Sequence, residues 1–188
     1  QTDEQLHTGI ELDFIFKPFS GLDVKGFASF GNWQYKGNSV QTKRDENLNT
    51  LDVAKVDVDG GKVGDAAQTT WGLGAKYEIF KNFSIDADWR TYDKLYSNVS
   101  ARKENLELPS YDLVDAGLSY KLLVGKDKKN SVGFRFNINN VFDEVYLSEL
   151  TTANKANSGD TTWNGINVTN SGFFGLGRTW NFTIRYNF

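Results

Sequence analysis

The 188 residues carry 39% hydrophobic and 24% charged side chains and a formal net charge of −3, too small and too dispersed to argue for a nucleic-acid partner. Cysteine is absent, which excludes a disulfide framework and a thiolate metal centre, and no apolar run approaches the roughly 18 residues of a membrane helix. Mean hydropathy is −0.50, yet aromatic residues reach 14% and 18 glycines face only 2 prolines, a composition suited to strands with one crowded, small-residue wall.

In chain order, Ile10, Leu12, Phe14 and Phe16 alternate with Glu11, Asp13 and Ile15. After a short turn at 17–21, Leu22, Val24 and Ala28 alternate with Asp23, Lys25 and Ser29, with Gly26 and Phe27 blurring the register. A long connection, about 36–69, leads to Trp71, Leu73, Ala75, Tyr77 and Ile79, backed by Gly72, Gly74, Lys76 and Glu78. A short turn at 80–82 precedes Phe83, Ile85, Ala87, Trp89 and Thr91, backed by Ser84, Asp86, Asp88 and Arg90. The second long connection, about 93–110, precedes Val114, Ala116, Leu118, Tyr120 and Leu122, against Asp115, Gly117, Ser119 and Lys121. A turn at 124–130 leads to Val132, Phe134, Phe136 and Ile138, against Gly133, Arg135, Asn137 and Asn139. The third long connection, about 146–171, ends in Trp180, Phe182, Ile184, Tyr186 and Phe188, which alternate with Asn181, Thr183, Arg185 and Asn187. The period is two throughout and no segment carries a helical stripe.

Alternation alone suits a soluble β-sandwich as well as a membrane barrel. The size and aromaticity of the apolar face, and runs close to the roughly 9 to 11 residues that a tilted strand needs to cross a bilayer, favour lipid outside and a watery lumen inside. Trp71 and Trp89 then mark one membrane interface, and Tyr77, Phe83 and Tyr186 the other. Short turns alternate with long loops, as between the periplasmic and extracellular ends of an outer-membrane barrel, which puts the C-terminus in the periplasm. An odd strand number, no Met and no signal peptide lead us to expect a piece of a larger barrel, because an open edge in lipid leaves backbone groups unpaired.

Four stretches carry a family resemblance. The run 132–146, with Asn140-Val-Phe-Asp-Glu-Val-Tyr146 at its end, resembles the penultimate strand of TonB-dependent outer-membrane receptors, and 177–188 resembles their last strand. His7-Thr-Gly-Ile-Glu-Leu-Asp13 and Val63-Gly-Asp-Ala-Ala-Gln-Thr-Thr70 are similar to members from Bacteroidota. The resemblance implies an all-β fold, a transmembrane antiparallel β-barrel of 22 strands of which these would be the last ~7, with a plug domain and the earlier strands outside this chain. It also implies TonB contact through that plug, the barrel-assembly machinery reading Trp180, Tyr186 and Phe188 as a signal, and a possible surface lipoprotein partner. Such a receptor imports a glycan, peptide, siderophore or cobalamin-type chelate. The alternative is a passive porin-like channel or a small structural or adhesive barrel.

For the ligand, Trp33, Tyr35, Tyr92, Asp93, Tyr96 and Trp163 mix aromatic faces with polar groups at the expected mouth and loops. Asp57, Asp59 and Asp65 are spaced like ligands of a calcium loop, without the bidentate Glu that such a loop uses. No other metal and no cofactor is expected. His7 is the single histidine and no Gly-x-Ser-x-Gly elbow is present, so catalysis is not expected.

Overall fold

The computed structural model describes residues 4–188, which contain thirteen strands and no helix. The wall is one antiparallel sheet of seven strands in the order β1 (Glu4–Phe19), β2 (Leu22–Lys36), β5 (Thr69–Phe80), β6 (Phe83–Asp93), β7 (Tyr111–Val124), β8 (Asn130–Asn139) and β13 (Thr179–Asn187). Each wall strand pairs with the next one along the chain, so this is an up-and-down meander, with β1 and β13 each having one neighbour. The remaining strands form small hairpins in the long connections: β3 (Asn38–Arg44) with β4 (Thr50–Asp57), β9 (Leu147–Leu150) with β12 (Gly172–Phe174), and β10 (Thr162–Trp163) with β11 (Ile166–Asn167).

Register carries the apolar face unbroken across the wall. Phe182 lies opposite Phe136, Phe136 opposite Leu118, Leu118 opposite Ile85 and Ile85 opposite Tyr77. Because side chains alternate, a slip of one residue anywhere would turn a whole strand inside out. The face is bare: Ile10, Trp180 and Ile184 are each more than 60% exposed. Such a surface is far beyond what a water-soluble monomer shows and fits lipid as its solvent. Phe27, which blurs the sequence pattern, lies on the opposite face, level with Gly72 and beside that glycine's missing side chain.

The strands run longer than their alternating cores suggest, since backbone pairing continues past the apolar belt at both ends. The short turns are set by local chemistry. Gly21 at φ 90° and Asn82 at φ 67° supply the left-handed positions of two of them, and Pro18 sits at the bulge between Phe16 and Phe19, where a missing N–H is tolerated.

Candidate functional site

The inner face of the wall is a connected polar surface. Lys25 pairs with Asp88 at 2.7 Å, Arg90 with Asp115, and Arg135 grips both carboxylate oxygens of Asp86. Asp115 also accepts from the Asn140 backbone N–H at 2.9 Å, and the Ser84 and Ser119 hydroxyls meet at 2.8 Å. Asn137 extends the chain to Asn181 at 2.8 Å. Pairs of opposite charge link β2 to β6 across β5, and tie β6 to β7 and β8, on the face that lacks apolar packing.

Aromatic side chains cluster at both ends of the apolar belt. Trp71 and Trp89 pack edge to face at 4.8 Å, and the Trp89 indole N–H donates to Asp112 at 3.2 Å, marking where the outer face turns polar. At the short-turn end Tyr77 meets Phe19 edge-on at 6.1 Å, Phe83 stacks on Phe80 at 4.7 Å, and the Tyr186 hydroxyl accepts from Asn130 at 2.9 Å. Amphipathic rings with a polar tip suit a boundary between hydrocarbon and water. Phe188 is fully exposed and Trp180 is 70% exposed.

At the long-loop end the six candidate ligand residues are distributed rather than gathered. Trp33 faces inward and stacks on His7 at 5.1 Å, whose Nε2 contacts Gln5 Oε1 at 3.1 Å. Tyr35 is buried with Val58 and Ala101, inside the packing of the first two loops. Tyr92 joins a column with Tyr111 at 5.0 Å and, beyond it, Tyr146 at 4.1 Å from Tyr111. Asp93 closes β6 opposite Thr69. Tyr96 is buried beside Glu107; desolvation first, and then the Glu107 charge, push its phenol up to about 12. Trp163 leans on the cluster of Leu95, Leu108, Leu147, Leu150 and Ile166 and meets Phe174 edge-on at 5.1 Å.

Asp57 and Asp59, two of the aspartates with the calcium-like spacing, are engaged by lysines and backbone N–H groups. Asp57 bonds Lys103 at 2.5 Å and accepts from the Asp59 N–H, while Asp59 pairs with Lys36 at 3.7 Å and accepts from the Gly37 N–H. Lys103 holds the Asp57 carboxyl below its usual range. Among the described residues no three acidic or imidazole side chains converge on a metal-sized point.

Two polar hubs carry more of this region than any of the aromatic candidates. Gln68, 1% exposed, accepts from the Trp33 N–H at 3.0 Å and donates to the carbonyls of Trp33 and Val63, fastening the first loop where it re-enters the wall. Asn140, also buried, donates to the carbonyls of Glu144 and Leu176 and accepts from the Glu144 N–H at 2.8 Å. Asp143 then receives the Arg178 backbone N–H at 2.7 Å. These contacts give a physical account of the Asn140–Tyr146 motif: it clasps the end of β8 to the segment that starts β13. The motif pointed to Asn140 and Asp143, and Gln68 lies inside the family-like stretch 63–70 although nothing in the sequence gives it this role.

Comparison with known proteins agrees with this geometry. The family model described as TonB dependent receptor-like, beta-barrel matches residues 1–141. The siderophore receptor PiuA from Acinetobacter baumannii superimposes with a TM-score of 0.63 at 18% identity, over 97% of this chain and 22% of that one. The ferric-catecholate import receptor Fiu from E. coli K12 gives 0.60 at 15% identity over 100% and 22%, and the FrpB iron transporter from Neisseria meningitidis 0.55 at 19% over 97% and 23%. At these identities the likeness is one of fold. The chain spans between a fifth and a quarter of the length of each of these structures. No protein of curated function matches it.

Proposed function

From the premise that this chain belongs to the TonB-dependent receptor-like β-barrel family, we propose that it supplies wall and loops to an outer-membrane receptor for active uptake of a nutrient. The observation that carries this reading is the seven-stranded meander itself, apolar outside and ion-paired inside, with all its long loops at one end. The family is one of transport receptors rather than enzymes.

In this reading the long-loop end faces the outside of the cell and the C-terminus the periplasm. The free edges of β1 and β13 pair with further strands of a 22-stranded barrel. A plug in that barrel contacts TonB, and the barrel-assembly machinery recognises the end at Phe188. A surface lipoprotein covering the loops is compatible with the same arrangement. The roles of the structural neighbours favour an iron chelate of the siderophore type over a glycan, peptide or cobalamin-type ligand.

Two measurements test this. Denaturing mass spectrometry of the protein from its outer membrane is expected to give a chain roughly four to five times the 21.2 kDa of these residues, as 22% coverage implies. A chain of 21.2 kDa would overturn the receptor reading. In cells, uptake of a radiolabelled ferric tris-catecholate is expected to stop when TonB is deleted. Uptake at an unchanged rate without TonB would make the barrel a passive channel.

A further inference from the structure

The outer face of the wall ends differently at its two boundaries. At the long-loop end the boundary carries an acid, Asp112, which accepts from the Trp89 indole N–H. At the short-turn end the apolar stripe of β7 runs through the exposed Tyr120 and Leu122 to Val124 and gives way at once to Gly125-Lys-Asp-Lys-Lys129. Asn130, the first residue of β8, donates to the Tyr186 hydroxyl at 2.9 Å and marks the level at which the belt stops. The turn beyond it is closed by the Lys128 N–H on the Gly125 carbonyl at 3.2 Å. In the turn from β5 to β6, Lys81 follows the exposed Phe80, whose ring stacks on Phe83. The Lys121 N–H donates to the Asn82 carbonyl at 2.9 Å, which ties that turn to β7.

Lys81, Lys126, Lys128 and Lys129 are all exposed, and across the two turns they face a single acid, four lysines against one aspartate. That acid, Asp127, lies 3.8 Å from Lys129 with the two side chains 73% and 82% exposed, a contact that neutralises little. Lysines elsewhere are matched. Lys17, in the first short turn, pairs with Asp23 at 3.1 Å on the inner face, and Lys103 and Lys155 in the loops pair with Asp57 and Glu104. The lysines of the second and third short turns thus leave an excess of positive charge immediately beyond side chains that meet hydrocarbon.

The polar layer of a bilayer is roughly 5 to 7 Å deep on each side of its hydrocarbon. A lysine at the edge of the belt keeps its methylenes against that edge and carries its ammonium into the phosphates. Phospholipid already fills this depth, so a protein partner would have to displace it. We propose that Lys81, Lys126, Lys128 and Lys129 form a binding rim for the phosphate of anionic glycerophospholipids of the phosphatidylglycerol class, holding this end of the wall at the headgroup layer. The assignment goes beyond the receptor reading and rests on it only for the leaflet, which is the periplasmic one.

The test is native mass spectrometry of the full-length receptor in detergent, titrated with phosphatidylglycerol and with phosphatidylcholine as the zwitterionic control. Phosphatidylglycerol is expected to bind at least about tenfold tighter, given that each lysine near an anionic surface contributes up to about a fivefold factor. Lys81→Gln, Lys126→Gln, Lys128→Gln and Lys129→Gln combined should abolish the preference, and arginine at the same four positions should keep it. Asp127→Asn removes the single acid and should tighten phosphatidylglycerol about twofold or more, a reading of the same rim that holds even if the fourfold variant fails to fold. Glutamine in place of Lys43, Arg44 and Lys55, exposed cations on the β3–β4 hairpin, should change nothing. Equal affinity for the two lipids, a preference that survives the fourfold glutamine variant, or an equal loss in the hairpin variant overturns the proposal. Tighter binding of lipid A than of phosphatidylglycerol, lost in the same fourfold variant, would put the rim in the outer leaflet and overturn it too. Neither TonB nor an iron chelate enters this measurement, so failure of the rim and failure of the uptake reading are separate results.

Discussion

The wall and the loops of this chain bury opposite chemistries. In the wall, Phe134, Phe182 and Ile184 point out and Asp86, Arg135 and Lys25 point in; in the loops, Leu95, Leu108 and Leu150 are inside and lysines and aspartates are outside. One polypeptide thus folds as two kinds of protein. The loop end obeys the rule for water, where apolar area leaves the solvent, and the wall obeys the rule for lipid, where backbone and charge must be satisfied internally. The border is visible in single residues: Trp89 rests its ring on Trp71 in the belt and gives its N–H to Asp112 just above it.

Truncation and charge insertion test that contrast most strongly. Leu150→Ala, at a side chain 2% exposed, is expected to cost the loop cluster about 2 to 5 kcal/mol. Hydrogen exchange would then quicken in 94–110 and 140–178 and leave β5 to β8 unchanged; quickening in the wall as well would make the two regions one cooperative unit. Phe134→Arg or Ile184→Arg, flanking the middle of their strands, should each cost about 2 to 4 kcal/mol in bilayer unfolding titrations. A neutral result would remove the lipid-facing assignment.

Smaller effects sharpen the picture. Asp86→Asn leaves Arg135 without its anion on a half-wetted surface, and a loss of about 1 to 2 kcal/mol of unfolding free energy, read from urea titrations, is expected. The smallest effect is a pH response confined to the loops. Tyr96 keeps its proton to about 12 in the fold, against 10.0 for a free phenol. Between those values the folded loop holds a proton that the unfolded loop has lost, so loop stability falls as pH rises from 10 towards 12. Exchange rates of the 94–110 amides followed across that interval check it, and Tyr96→Phe should flatten the response.

The wall was legible because period two is a local property. The register of β13 on β8 can be anticipated by matching Trp180, Phe182, Ile184 and Tyr186 to Ile138, Phe136, Phe134 and Val132. The loop interior has no period, so aromatic rings there read alike whether they face a ligand or a neighbour. Tyr35 and Tyr96 pack into loop cores, and Tyr92 shares its face with Tyr111. The role of Gln68, inside the family-like stretch 63–70, was hidden for the same reason: its partners are the backbone of Trp33, 35 residues away, and of Val63. The aspartates at 57 and 59 had a suggestive spacing, but the lysines that neutralise them come from positions 103 and 36, which spacing does not reveal. The strand-end motif at Asn140 stood between these cases, recognisable as a pattern while its clasp on the segment before β13 required the third dimension.

Gly74 and Gly117 sit where the inner ion pairs cross. A Cβ on Gly74 would fall 2.3 Å from Asp88 Oδ1 and 2.5 Å from Lys25 Cε, and one on Gly117 2.3 Å from Arg135 Nη2. Each charged side chain therefore lies in a notch left by its neighbour and is recessed into the wall. At these positions the height of the inner face is set by the backbone plus these niches rather than by the full reach of lysine and arginine. Refilling a niche with even a methyl group would swing a charge out from the inner face, roughening that surface and altering its field at the same stroke.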